Sequence, residues 1–179
     1  MKQALEDDKR IGIVQLRPGW EEDYYGQPPI YRVLGIGEIM DADPVEDGRY
    51  DIVLKGLFKA QMVEESGLVG DDEFRTVTAE ILSDEIAPDE RNEVYETHEI
   101  LCSIFDKLSQ ALPEGMTLLP GKTSEDMAPG ALVDVLASLL VDDPYERQSL
   151  LSEMSVLRRQ QLLRVQIRNI LSPKPFDYE

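Results

Sequence analysis

The sequence predicts an α+β fold in which a β-barrel lobe is followed by a helical lobe. In the first half, short apolar runs are separated by turns rich in glycine and proline, without helical periodicity. In the second half, apolar residues recur at spacings of three and four, and prolines stand where helices begin or end. Strands followed by helices are typical of α+β proteins. We expect the antiparallel barrel over residues 1–86 and the helices over residues 87–179.

Short apolar runs are the predicted strands. Asp47-Gly48 is a hairpin signal between the second and third runs, and Gly56 separates the third from the fourth. The last run alternates most cleanly, with Val77, Ala79 and Ile81 on one face. The runs are Ile11–Leu16, Tyr31–Met40, Tyr50–Lys55, Phe58–Val63 and Thr76–Leu82.

Four helical segments follow. Pro88 stands at a first helical position, with Asp89 and Glu90 in the first turn, and apolar residues then recur until Pro113. A second helix is predicted over Gly130–Val141. A third begins at Asp143-Pro-Tyr-Glu146, which has the form of a capping box. The last helix carries Val156, Leu163, Ile167 and Ile170 on one face, has Ser152 as a candidate cap, and ends before Pro173.

The charge is acidic and unevenly distributed. The chain has 18 Lys+Arg against 36 Asp+Glu, a net charge of −18. Thirteen acids and two bases lie between Glu64 and Glu99. This excess repels phosphate backbones and anionic lipid, so neither nucleic acid nor a membrane is an expected partner. One cysteine, no apolar run of membrane-spanning length and a charged start predict a soluble cytoplasmic protein.

Two partial nucleotide-binding motifs fail on spacing. The segment Gly115–Thr123 resembles a P-loop, but five residues separate its glycines instead of four, and Pro120 lacks a backbone donor. Gly35-Ile-Gly37 begins like a dinucleotide fingerprint, but a strand continues where a helix should open. No nucleotide or other cofactor is therefore predicted.

His98 and Cys102 lie four residues apart on the first predicted helix. A metal site needs further ligands, which the single His and single Cys do not supply, so no metal is predicted. Both residues follow the apolar stripe, which favours a hydrogen-bonded histidine beside a buried thiol over a catalytic pair. The alternative function is an enzyme or small-molecule binder that uses a cleft between the lobes, with Glu96 and Glu99 near His98.

The loop over residues 17–31 is the candidate binding site. It concentrates the only tryptophan and three of the seven tyrosines among charges and prolines. Amphipathic aromatic residues on a loop are typical of peptide-binding surfaces. The alternative is that these rings fold back to cover the barrel. The predicted peptide-binding residues are Trp20, Tyr24, Tyr25, Pro28, Pro29 and Tyr31, and no catalytic residue is predicted.

A family resemblance rests on the same region. Residues 10–31, then Gly35-Ile-Gly-Glu-Ile39, then residues 47–56 resemble the Lon amino-terminal domain family of peptidase S16 in its small stand-alone bacterial form. Residues 130–140 and the helix from Pro144 resemble its helical part. The resemblance implies a PUA-like barrel, a helical lobe, and a non-catalytic domain that in Lon proteases helps to recognise and hold polypeptide substrates. The Lon ATPase and Ser-Lys protease have no counterpart in this sequence.

The resemblance also implies partners. Unfolded or apolar polypeptide segments are the expected ligands, with a protease or a chaperone as further candidates. Family members begin with a proline-rich strand, whereas this sequence starts inside the next helix, at residues 1–8. Either the barrel lacks its first strand, leaving an edge for a partner or a second copy, or the start is misplaced or trimmed and nothing functional follows. RNA binding, known in other PUA-like folds, has only the helix Arg158–Arg168 to support it.

Overall fold

The computed structural model describes residues 2–24, 26–68 and 74–171. It divides into two compact units, Met1–Ser83 and Asp84–Glu179. The described strands lie in the first unit, together with a short helix α1 (Lys2–Glu6), and the long helices lie in the second. The predicted α+β class is therefore confirmed.

The described strands of the first unit form one antiparallel sheet. Its order is β1-β2-β3-β4, so each strand pairs with its neighbour along the chain. A turn over Glu46–Gly48 joins the two long central strands, and Gly48 has a φ of 75°, which glycine adopts at little cost. The predicted hairpin at Asp47-Gly48 is thus confirmed. The strands are β1 (Arg10–Ile13), β2 (Val33–Pro44), β3 (Tyr50–Leu68) and β4 (Arg75–Leu82).

The predicted break at Gly56 is wrong, because β3 runs through it as a single strand. Ile36 pairs with Phe58 and Gly37 with Gly56, so Leu57 is an extra residue in a β-bulge. A Cβ on Gly37 would lie 3.5 Å from the Lys55 carbonyl oxygen. The glycines therefore accommodate a bend within the ladder, which is a common role of glycine in strands.

The core of the first unit is small and lies on one face of the sheet. Leu34, Ala60 and Met62 are buried, and Val77 and Ala79 of β4 pack against them as their alternation predicts. Ile81 was expected to share that face but is 65% exposed. Ile81 pairs with the buried Ala60 of β3, as its alternation predicts, but it stands one residue before the end of β4 and its side chain is not covered.

The described residues of the second unit, 84–171, form four α-helices around a leucine-rich core. The helices are α2 (Arg91–Gln110), α3 (Pro129–Leu140), α4 (Pro144–Ser152) and α5 (Val156–Leu171). All four predicted helices are present, although α2 begins three residues after Pro88. Their buried residues include Leu101, Phe105, Leu132, Leu136 and Leu163.

The helix caps explain where α4 and α5 begin. The Asp143 carboxylate accepts hydrogen bonds from the backbone amides of Tyr145 and Glu146, at 2.8 and 2.9 Å, as its position before Pro144 predicts. At α5 the capping side chain is Ser155, whose Oγ accepts from the Arg158 amide at 3.3 Å. The expected cap Ser152 is instead the last residue of α4.

Candidate functional site

Loop 17–31 leaves the sheet and returns to it at one point. The Arg17 amide donates to the Pro29 carbonyl at 2.8 Å, and the Tyr31 amide donates to the Gln15 carbonyl at 2.9 Å. Leu16 and Ile30 form an antiparallel bridge between these two bonds. The base of the loop is therefore fixed by backbone pairing.

The tip of loop 17–31 is a short 3-10 turn over Trp20–Asp23. Gly19 precedes it with a φ of 90°, a conformation that favours glycine. The ring centroids of Trp20 and Tyr24 lie 5.5 Å apart at an interplanar angle of 58°. Trp20 is half-buried and Tyr24 is 56% exposed. The predicted site residue Tyr25 lies outside the described residues.

Arg75 of β4 holds the returning half of the loop. Its Nη1 donates to the Pro28 carbonyl at 2.8 Å, and its Nε forms an ion pair with the Glu65 carboxylate of β3. The Arg75 hydrogen bond lowers the pKa of Glu65, against a smaller opposing effect of burial. Both side chains are about three-quarters buried. This pair therefore links the loop to the two strands at its base.

An open groove of about 400 Å³ lies beside the loop base, wholly within the first unit. We call it the loop groove. Met62 is buried at 6% exposure, whereas Val63 is 48% exposed. The Arg17 guanidinium lies 6.0 Å from the centroid of the Tyr31 ring. The lining residues of the loop groove are Arg17, Pro29, Ile30, Tyr31, Arg32, Met62, Val63, Glu65 and Arg75.

The predicted site residues therefore divide into two places. Pro29 and Tyr31 line the loop groove, and Pro28 contributes the carbonyl that Arg75 binds. Trp20 and Tyr24 form the ring pair at the tip. The groove residues that sequence reasoning missed are Arg17, Ile30, Arg32, Met62, Val63, Glu65 and Arg75. One signal was available, because Arg75 is one of only two bases in the acidic stretch from Glu64 to Glu99.

His98 and Cys102 contact each other on α2, in the second unit. His98 Nε2 lies 3.6 Å from the Cys102 Sγ, and the Tyr95 ring meets the imidazole edge-on. Both residues are half-buried, so the thiol is less buried than expected. Burial lowers the pKa of His98, partly offset by Glu99, and raises the pKa of Cys102, partly offset by a Ser124 hydrogen bond. These shifts favour neutral imidazole and neutral thiol, the opposite of an activated thiolate pair.

We expect Cys102 to react slowly with iodoacetamide at pH 7, several times more slowly than a free thiol, because its raised pKa leaves less thiolate. The rate should rise with pH, and its midpoint should lie above that of a model thiol measured alongside. Denaturant should remove the difference. A midpoint below that of the model thiol would contradict this, since it would mean that the fold stabilises the thiolate.

Comparison with known proteins identifies the family. The family model for the ATP-dependent protease La (LON) substrate-binding domain matches residues 1–168. The chain belongs to this family. It is 32% identical over 160 residues to a Lon protease of Trichlorobacter lovleyi, covering 88% of this chain and 19% of the relative. It is 29% identical over 168 residues to Lon protease 2 of Myxococcus xanthus, covering 91% and 19%. The chain thus spans about a fifth of the length of these relatives.

A solved structure agrees with the fold of this Lon substrate-binding family member. The N-terminal domain of a Mycobacterium avium complex Lon protease superposes with a TM-score of 0.56 at 11% identity, covering 89% of this chain and 90% of that one. At this identity the likeness concerns the fold alone.

In residues 2–24, 26–68 and 74–171, no group of three or more His, Cys, Asp or Glu side chains is placed to hold a metal ion. None of the helices in the same ranges combines the length and the apolar character needed to cross a membrane.

Proposed function

We propose that this chain is a non-catalytic module that binds unfolded or apolar polypeptide segments through loop 17–31 and the loop groove. The observation that carries the proposal is the loop groove itself, an open concavity with Ile30, Met62 and Val63 beside a loop of aromatic residues. The substrate-binding description of its family is the second support.

The groove offers what an apolar side chain of a bound segment needs. Burial of apolar area contributes about 25 cal/mol per Å², so one inserted leucine or valine contributes about 1.5–3 kcal/mol. Backbone pairing and the Arg75 contact already order the loop base, which lowers the entropy that binding must offset. The Trp20 and Tyr24 rings add amphipathic area of the kind enriched in interface hot spots.

The proposal assigns no chemistry to this chain. A bound segment would be passed to a protease, the class that the description of the family names, or to a chaperone. The single cysteine is in keeping with this activity in the reducing cytoplasm. The neutral state of the His98–Cys102 pair also favours a binding role over nucleophilic catalysis.

We expect the fluorescence of Trp20, the only tryptophan, to change saturably when a reduced and carboxymethylated protein is titrated in. With a dye-labelled unfolded chain, anisotropy should show that Trp20→Ala weakens binding about tenfold, which is about 1.4 kcal/mol. The matched control is Tyr95→Ala, which removes an exposed aromatic ring from α2 in the other unit and should leave affinity unchanged within twofold. A flat titration, or equal losses for both variants, would contradict the proposal.

A further inference from the structure

We propose that the loop groove selects segments in which an aspartate or glutamate stands beside apolar residues. This inference rests on the proposed function and names the class of polypeptide that the site takes. It follows from the charge of the groove, the pairing state of its arginines and the position of its apolar residues.

The loop groove is basic within an acidic protein. Its charged lining residues are three arginines and one glutamate, a net charge of +2, whereas the whole chain carries −18. Glu65 is paired with Arg75. Arg17 and Arg32 are exposed, and in the part of the chain that the structure describes no carboxylate forms an ion pair with either. Two guanidinium groups in the groove are thus available to a ligand.

Arginine suits a carboxylate ligand because its planar guanidinium can donate two parallel hydrogen bonds to the two oxygens. Arg17 is also placed near the face of Tyr31, at 6.0 Å from the ring centroid, which restricts where its charge can lie. Arg32 directly follows Tyr31 in the chain, and its carbonyl accepts a hydrogen bond from the Met62 amide at 2.7 Å. Both cations are therefore attached to backbone that is fixed to the sheet.

Apolar residues of the same groove determine what should flank the carboxylate. Ile30 and Met62 are partly or fully buried in the sheet core, and Val63 is nearly half exposed beside them. An apolar ligand side chain would cover Val63, whereas a fully charged segment would leave it in water. The groove therefore matches a mixed segment better than a run of acids.

The overall charge points to a peptide and away from a nucleic acid. At physiological salt, charges further than about 8 Å apart are largely screened. A single carboxylate in the groove interacts mainly with the nearby arginines, whereas an extended polyphosphate also meets the acidic remainder of the surface. The belt from Glu64 to Glu99, with thirteen acids, includes Glu64 next to the groove residues Val63 and Glu65.

The test uses three dye-labelled peptides that share one apolar sequence and differ at a single central residue, which is Asp, Asn or Lys. Binding to the full chain is measured by anisotropy at physiological salt. The Asp peptide should bind about three to ten times more tightly than the Asn peptide, and the Lys peptide should bind most weakly. Unlabelled RNA should compete less well than the unlabelled Asp peptide.

Two variants locate the effect. Arg17→Gln and Arg32→Gln should each reduce the ratio of the affinities for the Asp and Asn peptides by about threefold or more. Arg164→Gln on α5 removes an exposed arginine from the other unit and should change nothing. Arg17 and Arg32 are both exposed, so the two variants should fold. Unfolding midpoints equal to that of the wild type would verify this.

The outcomes separate this inference from the proposed function. If all three peptides bind equally, the proposed function stands and the carboxylate preference is wrong. Stronger competition by RNA, or a preference that survives in both groove variants, would also overturn it. If none of the peptides binds and the unfolded chain gives a flat titration, the proposed function itself fails.

Discussion

Replacing Arg159 with alanine should destabilise the second unit by about 2–5 kcal/mol, the range seen when a large and fully buried side chain is truncated. Arg159 lies on α5 and is fully buried. Its Nη2 pairs with the Asp84 carboxylate at 2.6 Å, its Nη1 donates to the Glu153 carbonyl at 2.7 Å, and its Nε lies 3.3 Å from the Asp134 carboxylate. The substitution removes all three contacts and leaves a cavity.

Chemical denaturation followed by far-UV circular dichroism measures this loss. Arg159→Met keeps most of the buried volume, so it should lose less stability than Arg159→Ala. The difference in the free energy of unfolding between the two variants gives the contribution of packing. The matched control is Arg158→Ala, the preceding and exposed arginine of α5, which should stay within about 0.5 kcal/mol of the wild type. A loss below about 1 kcal/mol for Arg159→Ala would show that solvent screening of the half-exposed carboxylates outweighs the burial of the guanidinium.

Local sequence signals predict the helical unit well. The Asp143-Pro144 start of α4 and the apolar series of α2 follow from capping and periodicity, both of which act within a few residues. The role of Arg159 does not follow, because its partner Asp84 lies 75 residues away in the chain. Gly130 is similar, since a Cβ there would lie 1.8 Å from the Asp84 carboxylate and 2.5 Å from Arg159 Nη2. Glycine is small enough to leave room for the ion pair at this position. The local signals that predict a helix do not predict this requirement.

The sheet was predicted less well than the helices. Strand existence and the β2–β3 turn follow from alternation and from Asp47-Gly48. The continuity of β3 through Gly56 does not, because the same glycine fits a break or a bulge and only the partner strand decides between them. The exposure of Ile81 has the same origin, since alternation assigns a face but does not show what covers it.

The sequence points to the candidate site through its aromatic loop and gives no sign of the groove. Trp20, Tyr24 and the prolines stand out in the sequence because they cluster within fifteen residues. The groove depends on pairing between residues 15–17 and 29–31 and on strands that begin much later, so Met62 and Arg75 carry no local sign of it. Arg75 and Pro28 are 47 residues apart, and only the folded sheet brings them together.

Replacing Arg75 with alanine should weaken polypeptide binding at the loop groove by about 30-fold or more, which is about 2 kcal/mol. Arg75 acts in two ways, because it holds the Pro28 carbonyl of the loop and neutralises Glu65. Without it, the loop loses a charge-assisted hydrogen bond and the groove keeps an uncompensated carboxylate. The loss of affinity is measured by anisotropy with the same dye-labelled unfolded chain that tests Trp20→Ala.

A double variant separates the two contributions. Arg75→Ala with Glu65→Gln restores the groove charge to that of the wild type but does not restore the Pro28 contact. If the double variant recovers most of the affinity, Arg75 acts through charge. If it recovers little, Arg75 acts by positioning the loop. An affinity of Arg75→Ala within threefold of the wild type would contradict both contributions.

The acid dependence of this pair has a definite sign. The folded-state pKa of Glu65 lies below its usual value because Arg75 donates a hydrogen bond to the carboxylate. The stability from the pair is therefore present above the unfolded pKa of about 4.3 and is lost as the pH falls through the lower folded value. Arg75→Ala removes this contribution. When the free energy of unfolding is plotted against pH, it should therefore fall less steeply on the acid side for the variant than for the wild type. Arg75 affects this pH dependence of stability whether or not a polypeptide binds. The measurement therefore tests the contact between β3 and β4 independently of function.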